Sequence, residues 1–148
     1  RRATMTFPAP RPGLVIRYSI LWSHEQEAGA DEGAKDRPCA IVVAAAVDAT
    51  GEVRTIVAPI THRPPDASLD PIEIPSRVCA QLGLDAGRHW LRLDELNRFT
   101  WPGFDLSPIP GRAGQIAYGM LPPGLFEQLR QGIIRRQMAK RTRVQSRE

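Results

Sequence analysis

The feature that most constrains the fold is the division of the apolar residues into short runs. Segments that contain proline, glycine or charged residues separate these runs. The runs cover residues 13–22, 37–47, 53–62, 72–74, 89–96 and 115–121. They are rich in β-branched and aromatic residues, which favour strands. Many short strands with Gly/Pro turns are typical of a small barrel or a strongly bent sheet. The sequence therefore predicts a mainly β fold.

Two segments predict helices in addition to the strands. Residues 75–84 begin with a proline and have a glycine near their end, which are common helix boundary signals. Residues 122–138 place Leu125, Leu129 and Ile133 four positions apart, the spacing of an amphipathic helix face. We therefore expect a β-barrel with added helices.

The chain of 148 residues is long enough to bury one hydrophobic core. We expect a single domain over residues 13–138. Before it, residues 1–12 are predicted to form a flexible N-terminal segment. After it, residues 139–148 are predicted to form a basic C-terminal tail.

Positive charge is concentrated at the C-terminal end. Residues 130–148 contain seven basic residues and one acidic residue, whereas the preceding 129 residues contain 13 basic and 15 acidic residues. Basic residues bind nucleic acid by neutralising phosphates. A solvated helix end, whose positive charges complement the helix dipole, gives the same pattern. The net charge of +4 therefore does not by itself identify a nucleic-acid-binding protein.

Several classes of protein are disfavoured by motifs that the sequence lacks. No apolar run reaches the roughly 18 residues of a membrane span, and the first residues lack the apolar centre of a signal peptide, so we expect a cytoplasmic protein. Glycine-rich nucleotide motifs and the serine-hydrolase elbow are absent. The histidines lack the spacing of a zinc site. Cys39 and Cys79 form no CxxC pair and are expected to be reduced core residues. We expect a function that needs no metal and no cofactor.

Three short segments contain side chains suited to chemistry on a phosphodiester. They are SHEQ (23–26), KDRP (35–38) and APITHRP (58–64). If the strands on either side of the turn at 48–52 form a hairpin, Arg37 and Thr61 lie at one edge of the sheet, and the preceding loop brings His24 near them. Arginine stabilises charge on a phosphorane, histidine transfers protons, and threonine orients a phosphate oxygen. The candidate catalytic residues are Arg37, Thr61 and His24.

Three neighbouring basic side chains are candidates for substrate binding. They are Lys35, His62 and Arg63. Each candidate also has a purely structural interpretation. Arg37 can pair with Glu32 or Asp36 at the start of a strand, threonine is common within strands, and loop histidines are often simply solvated.

The motif HEQ, a following glycine and RPCAIVVA, together with TIVAPITH in the next strand, form a recognisable combination. With these motifs, residues 13–64 resemble the MazF/PemK family of toxin–antitoxin growth inhibitors. The resemblance implies an SH3-like barrel that forms a homodimer, binds an antitoxin protein and cleaves single-stranded RNA without a metal. The family's catalytic arginine and threonine correspond to Arg37 and Thr61. The histidine found in some members corresponds to His24.

The chain departs from the family pattern in the loop between HEQ and RP. This loop is longer than in the family. Counted from the Glu of HEQ, residues 25–32 contain four acidic residues, which are Glu25, Glu27, Asp31 and Glu32. Negative charge beside an RNA path has three interpretations. The loop gates the site, it changes the specificity of the site, or RNA is not the substrate.

Three functions are open on this basis. The first is an endoribonuclease toxin, in which the RNA 2′-hydroxyl attacks the phosphorus to give a 2′,3′-cyclic phosphate and Arg37 stabilises the charge. The second is a non-catalytic SH3-like barrel module that binds nucleic acid or a peptide. This module would use the sheet edge at Arg37, Thr61 and His62. It would also use the aromatic residues of the expected loop 97–114, which either stack on bases or plug the barrel end; they are Phe99, Trp101 and Phe104. The third is a protein-poison toxin of the same fold that acts on a topoisomerase.

Overall fold

The computed structural model describes residues 5–21, 36–47, 49–140 and 142–147. The strands are β1 Leu14–Ser19, β2 Asp36–Ala46, β3 Val53–Thr61, β4 Ile72–Ile74, β5 His89–Leu91, β6 Glu95–Trp101, β7 Ala117–Met120 and β8 Arg143–Ser146. The helices are α1 Ser76–Leu82, α2 Pro123–Met138 and a 3-10 turn at Ala67–Leu69. These eight strands belong to one curled, mostly antiparallel sheet. The predicted mainly β architecture, a small barrel-like sheet with added helices, is confirmed.

The predicted hairpin forms the centre of the sheet. The strand order is β4-β5-β3-β2-β1-β7, with β6 paired to β3 and β8 paired to β6. Strands β2 and β3 are antiparallel, from Cys39 opposite Pro59 to Ala46 opposite Val53. Strand β1 lies on the other side of β2 and ends with Ser19 opposite Asp36. The start of β2 and the ends of β1 and β3 therefore share one edge of the sheet.

The sheet separates two hydrophobic clusters because side chains alternate along each strand. On one face, Val15 and Ala40 pack with residues of both helices, including Leu82 and Leu129. On the other face, the cluster contains Ile16, Tyr18, Cys39, Val57 and Phe99. The predicted helix positions Leu125, Leu129 and Ile133 are buried. Both cysteines are buried and not disulfide-bonded, as predicted.

The prediction for residues 89–114 is wrong in two respects. The expected strand 89–96 is divided into β5 and β6, which both pair with β3 but in different registers. Between them, Arg92 and Asp94 form a side-chain ion pair. The expected loop over 97–114 begins five residues later, because β6 continues to Trp101 between β3 and β8. The strand ends at a cis Trp101–Pro102 bond, since proline donates no ladder hydrogen bond.

The basic C-terminal segment includes a strand that the sequence pattern did not predict. Residues Arg143–Ser146 form β8, which pairs in parallel with β6. Directly after β8, the guanidinium of Arg147 donates two hydrogen bonds to the carboxylate of Asp105, at 2.9 and 3.2 Å. Among the described residues, no helix is both long and apolar enough to cross a membrane.

Candidate functional site

A cleft of about 340 Å³ lies at the sheet edge where β2 begins. Its lining includes Arg17 from β1, Arg37 from β2, His62 directly after β3, His89 from β5 and Tyr118 from β7. Five separate segments of the chain therefore contribute polar residues to the lining of one cavity. The candidate site lies in this cleft.

Arg37 and Thr61 reach this edge by continuation of the β2–β3 hairpin. Arg37 precedes the Cys39–Pro59 pair by two residues, and Thr61 follows it by two residues. The half-buried Arg37 lines the cleft, but Thr61 is not among the described residues that line it. The Thr61 hydroxyl instead donates a hydrogen bond to the backbone carbonyl of Arg63 at 3.2 Å. The predicted pair shares the sheet edge, and only its arginine contributes to the cleft.

The other predicted residues are divided between the cleft and its surroundings. His62 is exposed and lines the cleft. Arg63 is exposed beside it and is not among the described lining residues. His24 and Lys35 lie outside the residues that the structure describes, as does the acidic loop that separates them. The geometry therefore brings together Arg37 and His62 of the six predicted site residues.

Arg17 and Tyr118 are cleft residues that the sequence analysis did not identify. The Nη1 atom of Arg17 donates a hydrogen bond to the hydroxyl oxygen of Tyr118 at 3.1 Å. Tyr118 lies at an irregularity in the β1–β7 pairing, because Val15 is opposite Gly119 whereas Ile16 is opposite Ala117. An extra residue of this kind forms a β-bulge, which redirects a side chain. The sequence signal for Arg17 is a single charge inside the apolar run LVIRYSI.

Arg112 supports the ring of Tyr118. Its guanidinium carbon lies 5.7 Å from the centre of the Tyr118 ring, within the range of a cation–π contact. Its Nη2 atom donates a hydrogen bond to the carbonyl of Leu82 at 3.3 Å. The close approach requires glycine at the end of α1, since a Cβ atom on Gly83 would lie 2.1 Å from Nη2. Gly83 also has a φ of +71°, which glycine adopts without strain.

His89 lies at the wall of the cleft, and one of its ring nitrogens forms a hydrogen bond with the backbone. The ring is buried, and its Nε2 atom lies 2.8 Å from the carbonyl oxygen of Asp85. Because a carbonyl oxygen only accepts hydrogen bonds, Nε2 is the protonated nitrogen in this contact. A neutral His89 then has Nδ1 as its acceptor.

The charge of the cleft is mixed. Arg17 and Arg37 are half-buried, whereas the carboxylate residues Asp36 and Asp85 in the lining are exposed. Charges that are exposed to water are screened more strongly than charges at a partly buried wall.

Burial raises the pKa of the Cys39 thiol, and the positive charge of Arg37 opposes that shift.

The aromatic residues considered for ligand stacking do not form a common surface. Phe99 is buried and stacks on Tyr18 with a distance of 4.6 Å between ring centres. Trp101 is half-buried against the same cluster, and only Phe104 is fully exposed. The prediction that all three are loop aromatics is wrong for Phe99 and Trp101, because both belong to β6.

The sequence matches no protein-family model. No curated protein matches it significantly either. The resemblance to the MazF/PemK family therefore stays a prediction.

Proposed function

We propose that this chain is a toxin-type growth inhibitor that cleaves single-stranded RNA in the cleft at the start of β2. One observation carries the proposal: Arg17, Arg37 and His62 line the same cavity. Two guanidinium groups suit the phosphates of a nucleic acid. An imidazole at the same cavity suits proton transfer.

The proposed reaction uses the nucleophile that RNA itself supplies. The 2′-hydroxyl oxygen attacks the adjacent phosphorus while its proton passes to a base, and we assign this role to His62. The bond from phosphorus to the 5′-oxygen then breaks, and that oxygen takes a proton from water; the proton held by His62 neutralises the resulting hydroxide. The products are a 2′,3′-cyclic phosphate and a 5′-hydroxyl end. Arg37 stabilises the negative charge that develops on the phosphorane oxygens.

Thr61 has a positioning role in this proposal. Its hydroxyl donates a hydrogen bond to the backbone carbonyl of Arg63. This bond spans His62, the first residue after β3, which lines the cleft. Removing that hydroxyl loosens the segment that carries His62. A Thr61→Val variant is therefore expected to reduce activity less than Arg37→Ala.

The remaining predictions from the family resemblance belong to the same proposal. They are a homodimer, inhibition by an antitoxin protein, and a cytoplasmic location where cellular RNA is available. A second candidate function, a non-catalytic module that binds nucleic acid or a peptide, is favoured by Asp36 and Asp85 in the cleft. Carboxylates beside the phosphate path reduce affinity for the charged transition state.

The proposal is tested by inducing the wild type, Arg37→Ala and Arg54→Ala in a bacterial host. Arg54 is the matched control, because it is an exposed arginine near the opposite end of β3. We expect growth arrest and discrete cuts in primer-extension maps of cellular RNA for the wild type and Arg54→Ala, and neither for Arg37→Ala. Intact RNA in cells that contain folded wild type would overturn the proposal. Binding of RNA without cuts would favour the second candidate.

A further inference from the structure

We infer that Arg17 and Tyr118 form a second phosphate-binding subsite, which holds a phosphate of the RNA chain beside the one cleaved at Arg37. The inference rests on the proposed function for its ligand, and it assigns a role to two residues that the sequence analysis does not name as site residues. Both side chains line the cleft and are joined by the 3.1 Å hydrogen bond.

The hydrogen bond between them leaves donors available for an anion. A guanidinium carries five N–H groups, and the contact with Tyr118 uses one of them. Because the Tyr118 oxygen accepts this bond, the hydroxyl hydrogen is available for a different acceptor. The pair therefore presents N–H and O–H donors together, a combination that suits phosphate oxygens.

The Tyr118 side chain is held in place by the backbone of β7 and by Arg112, and Arg17 is held through its hydrogen bond to Tyr118. Tyr118 is the extra residue of the β7 bulge, and the next residue, Gly119, has a φ of +143°. Arg112 lies over the Tyr118 ring and is itself bonded to the carbonyl of Leu82. Fixed donors lose less conformational entropy when a ligand binds. This support distinguishes the pair from freely rotating surface arginines.

The register of β1 and β2 sets the second subsite next to Arg37. Tyr18 is opposite Arg37, so Arg17 is one residue along the neighbouring strand. Neighbouring strands lie about 4.8 Å apart. Because side chains alternate along a strand, Arg17 and Arg37 leave their neighbouring strands toward opposite faces, and both residues border the cleft. This arrangement suits two separate phosphates of one strand rather than a single isolated anion.

The test measures binding of a single-stranded oligonucleotide in which every nucleotide is 2′-deoxy, so that the proposed reaction cannot occur. Fluorescence anisotropy at several salt concentrations is recorded for the wild type, Arg17→Met, Tyr118→Phe and Arg54→Met. The slope of log affinity against log salt changes by about 0.7 for each phosphate contact that is lost from a single strand. We expect Arg17→Met to bind about tenfold more weakly with a slope smaller by about 0.7. We expect Tyr118→Phe to bind several-fold more weakly.

Two controls keep the inference falsifiable. Arg54→Met removes an equal charge outside the cleft, and Tyr118→Phe keeps the packing of the ring if Arg17→Met fails to fold. Equal affinities and slopes for the Arg17 and Arg54 variants, or unchanged binding by Tyr118→Phe, would overturn the subsite. A wild type that does not bind the oligonucleotide would also overturn it.

Kinetics on cleavable RNA separate this inference from the proposed function. The subsite predicts that Arg17→Met raises KM about tenfold with little change in kcat, whereas Arg37→Ala lowers kcat. If the wild type binds the deoxy oligonucleotide through Arg17 but cuts no RNA, the proposed reaction fails and the subsite stands. If RNA is cut with an unchanged KM in Arg17→Met, the subsite fails and the reaction stands.

Discussion

Arg17 in β1 donates a 3.1 Å hydrogen bond to Tyr118 in β7, although 101 positions separate the two residues in the chain. This contact joins β1, the neighbour of β2, to β7, which is the last strand in the strand order. The wall of the cleft beside Arg37 is therefore assembled by the fold, and its geometry depends on the backbone of β7.

Replacement of Gly119 tests that dependence. A Cβ atom there would lie 3.3 Å from Leu82 Cδ2, and the φ of +143° is strained for any other residue. We expect Gly119→Ala to lower the free energy of unfolding by about 1–3 kcal/mol and to weaken binding of the deoxy oligonucleotide. Urea denaturation and anisotropy measure the two effects. Normal affinity in the folded variant would mean that the bulge does not position Tyr118.

Two glycines of α2 are expected to respond oppositely to alanine. Alanine favours a helix by up to about 1 kcal/mol over glycine. A Cβ atom on Gly124 meets no atom within 4 Å, whereas one on Gly132 would lie 2.5 Å from Leu93 Cδ1. Leu93 is buried and has little room to move. We expect Gly124→Ala to raise the free energy of unfolding by about 0.5 kcal/mol and Gly132→Ala to lower it by about 1–2 kcal/mol.

Urea denaturation of both α2 variants checks this pair. Each contains the same added methyl group, so Gly124→Ala controls for the change in helix propensity. A stabilised Gly132→Ala would contradict the described packing of α2 against Leu93.

Asn97 connects β6 to the end of the segment that follows β1. Its side chain is fully buried, accepts a 2.8 Å hydrogen bond from the Leu21 amide and donates a 2.9 Å bond to the Leu21 carbonyl. Asn97→Ala removes both hydrogen bonds to Leu21, and we expect it to lower the free energy of unfolding by about 1–3 kcal/mol. Gln145→Ala, opposite Asn97 in β8, is the control, with an expected change within about 0.5 kcal/mol. Equal stabilities in thermal or urea denaturation would contradict this role.

The pH dependence of stability is expected to report on Tyr18. Burial and the Asp105 carboxylate raise the pKa of Tyr18 above its ordinary value of 10.0, although Arg147 opposes the shift. Above pH 10 the unfolded chain loses this proton and the folded chain keeps it. The stability that Tyr18 contributes is therefore present below pH 10 and is lost as the pH rises.

Tyr18→Phe removes this contribution while keeping the ring that stacks on Phe99. Above pH 10, the fall in unfolding free energy is expected to be less steep in the variant by up to about 1.4 kcal/mol per pH unit. The raised pKa of Cys39 gives a further fall that starts near pH 9.0 and stays in both proteins. Denaturation at pH values from 7 to 11 measures these slopes, and parallel curves above pH 10 would exclude a buried neutral Tyr18.

The elements predicted correctly are those whose signals are local. The runs before and after the turn at 48–52 became β2 and β3, and the four-residue spacing of Leu125, Leu129 and Ile133 became the buried face of α2. β-branched runs and helical periodicity need no knowledge of distant partners. The same local signals located Arg37 at the edge of the sheet.

The elements that were missed depend on distant partners. Asn97 is a typical loop residue in sequence, but its amide bonds to Leu21 and allows β6 to begin before it. The basic segment Arg143–Ser146 has little apolar content and becomes a strand because β6 offers a free edge. Tyr118 reaches the cleft through a bulge that no periodicity encodes. Tertiary pairing, rather than propensity, decides these positions.

The proposed function is tested most directly by incubating the purified protein with a single-stranded RNA that contains a mapped cut site. A copy with one 2′-deoxy nucleotide at that site is the control substrate, and mass spectrometry identifies the new ends. We expect a 2′,3′-cyclic phosphate and a 5′-hydroxyl from the RNA and no cut in the control substrate. We also expect a rate at least about 100-fold lower for Arg37→Ala. No cleavage by folded wild type, equal cleavage of the deoxy copy, or full activity of Arg37→Ala would contradict it.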